Sequence, residues 1–308
     1  MSTPTVAFTT ALAQHGYEPD GDAWQGMEGT VLGLTGGRVA KSWFERSREG
    51  VEQIQAFSAD LAAMQLPFGT PEIERVFETD GMVISIERRL AGTPLKEFLT
   101  DPTPTSMDAA IEAVLSSLLV LRETAKPEEA HLLPLFDIAK PDPGTAGTTM
   151  LGALARRRLE ASPVILERLP NAPAMLDALE AWLARSTATE VLTHGDLCAE
   201  NVLVDDRGAV TAVLDWGFLT CYAPPAIDLG ISTGILDMYS ETARATDDRF
   251  VARVLATTDA DLGDLLRTRA LYALITATAY SPEGTDGHFA WCIDQLQRDD
   301  VRAAVDAG

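Results

Sequence analysis

The spacing of apolar residues changes character along the chain. Up to about residue 90 the apolar positions fall in short runs between turn residues. Residues 24–34 (WQGMEGTVLGL) read as strand, turn and strand, with Gly26 and Gly29 in the turn. Gly36-Gly37 marks a second turn, and residues 38–44 (RVAKSWF) read as a third strand that carries Lys41. Residues 49–65 then place Val51, Ile54, Phe57, Ser58, Leu61 and Gln65 on one helical face. The segment LPFGTP ends that helix, because proline fixes φ and lacks an N–H. Residues 72–77 and 82–88 read as two strands around Asp80-Gly81.

From about Pro94 the pattern is helical. Thr105 and Asp108 have capping-box spacing ahead of Ile111, Val114, Leu115, Leu118 and Leu119. KPDPGTAG at 140–147 is a loop, and 175–183 is an apolar-faced helix leading into a strand at 191–193. Beyond Asp228, residues 226–243, 248–256, 260–280 and 287–305 are helical. The expected class is α+β. A small antiparallel-sheet lobe with one helix spans 1–90, and a larger, mainly helical lobe spans 91–308. At 308 residues the chain exceeds a typical single core, which suits two lobes.

Between the two helical regions lies HGDLCAENVLVDDRGAVTAVLDWG, starting at His194. Residues 202–204 and 210–214 are apolar runs separated by Asp205-Asp206-Arg207-Gly208, which is turn chemistry, so the segment predicts a β-hairpin. Asn201 precedes the first strand and Asp215 follows the second, and an antiparallel pair brings such positions together at its open end. An amide oxygen and a carboxylate on one frame suit a hard cation such as Mg2+, which also takes phosphate oxygens and water. Asp196, five residues before Asn201, can stand near the same ion and accept a proton from an attacking hydroxyl. These are parts of a phosphoryl-transfer site.

The HGDxxxxN segment, the hairpin and the Asp-Trp-Gly that follows resemble the aminoglycoside phosphotransferase family, small-molecule kinases with a bilobal, protein-kinase-like fold. The resemblance implies Asp196 as catalytic base and Asn201 and Asp215 as Mg2+ ligands. It implies His194 as a structural loop residue near Asp215, and Asp228 as a carboxylate that steadies the catalytic loop; Asp228 also suits a helix N-terminus. It further implies ATP or GTP as co-substrate, with Lys41 reaching the phosphates from its strand, since RVAK is close to the kinase V-A-I-K pattern. Gly26, Gly29 and Thr30 fall in the loop that would cover the phosphates, where many relatives carry Ser at the place of Glu28 and a carboxylate is repulsive unless it points away. Glu52, with Glu49 as the alternative, is the expected helix partner of Lys41. Glu87, Arg88, Arg89 and Leu90 fall in the lobe connector whose backbone binds adenine.

Charge narrows the partners. The net charge is −22 and the pI about 4.4, which argues against nucleic acid or an anionic membrane as partner. Such a charge would steer in a cationic acceptor, and it equally fits a saline habitat, solubility or a proteome-wide bias. Cys198, Cys221 and Cys292 form neither a disulfide framework nor a zinc site. Cys198 is either a modifiable thiol or a small filler residue. The first residues lack the pattern of a secretory signal, and the most apolar run, 271–279, is too short to span a membrane. A cytoplasmic monomer or dimer is expected. For the acceptor, Asp237, Glu241, Asp247 and Asp248 can meet a cation, and Tyr239, Tyr280, Phe289 and Trp291 can stack on a ring. Arg156-Arg157-Arg158 is either a phosphate contact or a solvated basic face. An antibiotic kinase, a metabolic kinase acting on choline, homoserine or a sugar-like acceptor, and a nucleotide-binding pseudokinase share the fold. The base, both metal ligands and the strand lysine are all present, which separates the first two from the third.

Overall fold

The structure, a computed structural model, describes residues 6–26, 28–44, 46–100, 102–127, 130–136, 142 and 144–308. In chain order its elements are α1 (Val6–Gln14), β1 (Pro19–Gln25), β2 (Gly29–Leu34), β3 (Arg38–Trp43), α2 (Arg48–Ala63), β4 (Ile73–Thr79), β5 (Met82–Arg88), β6 (Thr93–Pro94) and a 3-10 turn (Leu95–Leu99). There follow α3 (Pro104–Arg122), α4 (Gly147–Ala161), α5 (Pro163–Arg168), α6 (Ala172–Arg185), β7 (Val191–Thr193), β8 (Val202–Val204), β9 (Val210–Val213), β10 (Cys221–Ala223), α7 (Pro225–Ile235), α8 (Ala243–Thr257), α9 (Leu262–Thr276), α10 (Gly287–Gln297) and α11 (Asp299–Asp306). Contacts divide the chain into two compact units. One is Met1–Thr93 with Glu129–Leu133 and Leu203–Asp215; the other is Pro94–Glu128 with Pro134–Val202 and Trp216–Gly308.

The first unit is built on an antiparallel sheet of order β1-β2-β3-β5-β4. Strand alternation sorts its side chains. Leu32, Leu34, Ala40, Phe77, Ile84 and Ile86 pack under Phe8, Ala11 and Leu12 of α1, a helix the sequence pattern did not announce. Each large apolar side chain so buried contributes about 1.5–3 kcal/mol relative to exposure. Helix α2 starts where Ser47 accepts the Gly50 N–H, and it buries Val51, Ile54, Phe57, Ser58 and Leu61. It stops at Ala63, two residues short of the expected end, and Gln65 takes a positive φ of 52° that no helix continues.

The β8–β9 hairpin belongs to this first unit. Gly69 N–H donates to Thr211 O at 2.8 Å, Val213 N–H donates to Gly69 O at 2.9 Å, and the Thr211 hydroxyl donates to Ala91 O at 2.6 Å. At the turn the Asp205 carboxylate accepts the N–H groups of Arg207 and Ala209, and Gly208 takes φ +80°.

The second unit is helical, with one short antiparallel pair, β7 with β10. Its core joins Leu151, Leu154, Leu176 and Leu179 to Ile227, Ile231, Leu271, Leu274 and Leu296. Helix α3 begins two residues before the expected capping box. Thr103 and Ser106 cap each other, and Pro104 stands at the first helical position, where its missing N–H costs nothing. At 19 residues α3 also reaches membrane-spanning length and hydropathy, contrary to the expectation for this chain, yet half of it is buried in the unit, as in a core helix. The single helix expected at 287–305 is two, broken at Arg298, whose side chain binds Asp300 and Asp247.

Candidate active site

Lys41 sits in the middle of β3, paired across to Val31 on β2 and Ser85 on β5. Alternation turns it to the face opposite the buried Ala40. Its Nζ lies 3.1 Å from Glu28 Oε2 and 4.0 Å from Asp215 Oδ1, and 3.7 Å from the centre of the Trp43 ring. Trp43 Nε1 donates to Ser85 Oγ at 2.9 Å, and Ser85 Oγ donates to Glu87 Oε1 at 2.7 Å. Arg46 binds the other oxygen of Glu28 at 2.5 Å. Burial pushes the Glu28 carboxyl up, but Lys41 and then Arg46 outweigh it and hold the group below the usual range. Asp215 takes φ +62°, a left-handed conformation that few non-glycine residues adopt and that clusters at functional positions.

The expected pairing of Lys41 with Glu52 does not occur. Glu52 is exposed on α2 and binds Arg48 one turn away at 2.8 Å. Glu28, expected to repel phosphate, is paired instead with Lys41 and Arg46; Arg46 was not among the expected site residues, and its signal was a basic residue just past the lysine strand, facing an acidic loop.

The glycine loop is tight. Gly26 N–H donates to Gly29 O at 3.0 Å, and Phe44 N–H donates to Glu28 O at 2.8 Å. A Cβ on Gly29 would lie 2.3 Å from Ser42 O, so only glycine fits. Gly29 and Thr30 belong to β2, which leaves Gly26 and Glu28 as the described loop residues; Met27 lies outside the described residues, as do Lys140 and Pro143 of the later loop.

Glu87 and Arg88 are still within β5, and Glu87 turns its side chain to Ser85. Burial raises its carboxyl; the Ser85 hydroxyl and Lys41 pull it back. Arg88 N–H donates to Glu72 O and Arg89 N–H to Gly37 O, so both amides are engaged. The Arg89 guanidinium binds Asp20 and Asp22. Of the four expected residues, Leu90 alone makes no backbone hydrogen bond among the described residues.

In the second unit the segment from His194 to Asn201 is held from below. Asp228, in the first turn of α7 and buried, accepts the N–H groups of His194 at 2.8 Å and Gly195 at 2.9 Å. Burial raises its carboxyl, against the His194 ring and these two N–H groups, which lower it. Asp196 N–H donates to His194 Nδ1 at 3.2 Å, which assigns the ring proton to Nε2, and the ring lies 4.6 Å from that of Trp216. The Thr220 hydroxyl donates to His194 O and accepts from Gly217 N–H. Gly195 has φ +79°, and a Cβ there would meet Leu219 at 2.5 Å. Asn201 Nδ2 donates to Asp196 O at 2.8 Å, which leaves the amide oxygen without a protein partner among the described residues.

Most of the acids considered for the acceptor are engaged within the protein. Asp247 binds Arg269 and Arg298, Asp248 binds Arg244, and Asp237 binds Ser240 and Thr246. The Arg156–Arg158 cluster is likewise internal: Arg156 binds Asp177 and Glu180, and Arg158 donates to Ile275 O and stacks on Phe136. Phe289 and Trp291 are buried, whereas Tyr239 and Tyr280 are 65% and 50% exposed. These two tyrosines flank His288, through a 3.3 Å hydrogen bond from Tyr239 and a 4.9 Å edge-on ring contact from Tyr280. Burial, and then the charge of Asp196, push the Tyr280 phenol up to about 12. Cys198 behaves as a filler: burial and the charges of Asp196 and Glu200 raise its thiol well above the usual range, which suppresses reactivity.

The model of the phosphotransferase enzyme family matches residues 31–274. Solved structures match over nearly the whole chain. The GDP and kanamycin complex of the aminoglycoside phosphotransferase APH(2")-IIia has a TM-score of 0.64 at 15% identity, covering 99% of this chain and 100% of that one. The aminoglycoside phosphotransferase APH(3'')-Id from Streptomyces rimosus, bound to ADP and streptomycin, has a TM-score of 0.57 at 18% identity, covering 93% and 100%. The macrolide 2'-phosphotransferase MphH from Brachybacterium faecium has a TM-score of 0.55 at 22% identity, covering 94% and 98%. No curated protein matches the chain. At these identities the structures show the shared fold, an antiparallel-sheet unit with helices of the protein-kinase-like type.

Proposed function

We propose that this chain, which belongs to the phosphotransferase enzyme family and so transfers a phosphoryl group to an alcohol, uses ATP or GTP with Mg2+ to phosphorylate a hydroxyl of a ring-bearing antibiotic. The observation that supports this most directly is the approach of Lys41 to Asp215 at 4.0 Å, with Asp215 held at φ +62°. An ammonium suited to phosphate and a carboxylate suited to a cation stand side by side, contributed by distant parts of the sequence.

Lys41 would hold the nucleotide phosphates, and the glycine loop would close over them with backbone N–H groups. Leu90 is the connector residue with amide groups left for a purine edge. Asp215 and Asn201 offer hard oxygen donors that fit Mg2+. Mg2+ bound there would take its remaining ligands from phosphate oxygens and water. Bound Mg2+ would neutralise phosphate charge. Asp196 orients the acceptor hydroxyl and takes its proton, while Asp228 fixes the backbone that carries Asp196. The gain comes from positioning and charge neutralisation.

For the acceptor, the structures of similar fold hold streptomycin and kanamycin, and one is a macrolide kinase. The exposed Tyr239 and Tyr280, both next to His288, with Tyr280 within electrostatic reach of Asp196, favour an acceptor that lays a ring on an aromatic face. The test is a screen for ADP or GDP release against aminoglycosides, macrolides, nucleoside antibiotics and amino alcohols. Release with an antibiotic supports the reading; release only with choline, homoserine or a sugar moves it to metabolism.

A further inference from the structure

A phosphate-binding lysine on a strand works only if something holds its ammonium in place, and in kinase-like folds a helix carboxylate commonly does so. Helix α2 does not supply one here. Glu52 binds Arg48, Gln55 donates to Ile73 O, and Asp60 binds His131. The carboxylate that holds Lys41 comes from the glycine loop, at Glu28.

Glu28 is fixed from both ends. Phe44 N–H clamps its carbonyl at 2.8 Å, and Gly29, which tolerates no side chain, sets the path of the loop. Its two carboxylate oxygens divide between two cations, Lys41 on Oε2 and Arg46 on Oε1. The Trp43 ring centre lies 3.7 Å from Lys41 Nζ and 5.7 Å from the Arg46 guanidinium, so both cations contact one aromatic ring. The three charged groups sum to one net positive charge, so the assembly still attracts a phosphate. Among the described residues, the other carboxylate that Lys41 meets is Asp215, at 4.0 Å. A closer Lys41–Asp215 pair would draw the lysine off the phosphates and occupy an oxygen suited to the metal.

We propose that Glu28 is the positioning residue of Lys41, taking the place of a carboxylate on α2, with Arg46 as the second cation that holds Glu28 in register. The inference rests on the nucleotide reading above. It reverses the first expectation for a carboxylate in this loop: Glu28 assists nucleotide binding by organising two cations and does not oppose it by repulsion.

The test is calorimetric titration of MgADP and MgATP into the wild type, Glu28→Gln, Glu28→Asp, Glu52→Gln and Lys41→Ala, with thermal unfolding alongside. Glu28→Gln should weaken nucleotide binding roughly tenfold, the effect of one charge-assisted hydrogen bond. It should also raise the Mg2+ concentration needed for half-maximal turnover, and Glu28→Asp should recover part of both. Tighter nucleotide binding in Glu28→Gln would show that Glu28 competes with phosphate, and would overturn the proposal. So would a loss at Glu52→Gln as large as that at Glu28→Gln. If Lys41→Ala loses the nucleotide while both Glu28 variants bind as the wild type does, the positioning role fails and the kinase reading stands. If the wild type binds no nucleotide, both fail. Should Glu28→Gln unfold, the Glu28→Asp comparison carries the same decision.

Discussion

The two carboxylate oxygens of Asp228 accept the backbone N–H groups of His194 and Gly195, at 2.8 and 2.9 Å, from beneath the loop that leads to Asp196. Both donors are buried, so neither finds water if the carboxylate is lost. Asp228→Asn presents an amide N–H2 to one of these donors and leaves it unsatisfied, at a cost of about 1–3 kcal/mol. The unfolding midpoint should fall and turnover with it, while nucleotide affinity, which the proposal rests mainly on Lys41 of the first unit, should change little. Calorimetry of nucleotide binding beside a melting curve separates the two effects; an unaltered melting midpoint would contradict the anchoring role.

Asp196→Asn keeps size and hydrogen-bonding shape but cannot take a proton. Turnover should drop about 100- to 10,000-fold, the range for a lost general base, with nucleotide Kd retained. Single-turnover assays would check this, and wild-type turnover in the variant would remove Asp196 from the mechanism.

If Tyr239 and Tyr280 form the acceptor face, stacking should dominate over ion pairing. Tyr239→Ala and Tyr280→Ala should each raise the acceptor KM roughly three- to tenfold, in keeping with aromatic contacts. The Phe variants should hold KM near the wild type. The acceptor KM should also respond weakly to added salt, since salt screens charge and not stacking. A steep rise of KM with salt would point instead to an exposed acid such as Glu241.

Acid stability gives an independent check on the break between α10 and α11. Arg298 holds the Asp300 carboxyl at about 2, below the ordinary value of 3.8. A carboxyl depressed in the folded state stabilises the protein above its unfolded value, and that contribution fades as pH falls from near 3.8 toward 2. The pair is partly exposed, so solvent screening keeps the effect modest. The difference in unfolding midpoint between the wild type and Asp300→Asn should be largest near neutrality and vanish on acidification. A difference that is constant with pH would rule out the ion pair as its cause.

The parts of the fold that were legible in the sequence are those governed by local chemistry. The hairpin at Asp205 to Gly208, the lysine strand and the buried face of α2 follow from turn residues and apolar period. What escaped was set by side chains distant in sequence. No periodicity foretells that Arg298 breaks a helix to reach Asp247 and Asp300, or that Pro104 moves a cap to Thr103. In the candidate site, motif spacing pointed to Lys41, Asp196, Asn201 and Asp215. It misdirected the partner of Lys41, because Glu28 and Glu52 are both acidic and only the path of the loop distinguishes them.

The hairpin from Leu203 to Asp215 is packed with the N-terminal unit although more than a hundred residues of chain separate them. A genetic crossover near the connector would therefore join Lys41 from one parent to Asp215 from the other. Chimeras between relatives made at that point inherit a mixed phosphate-and-metal pair, and they should fail more often than chimeras that carry residues 203–215 along with the N-terminal segment. The heritable module is discontinuous, and its second piece is the hairpin.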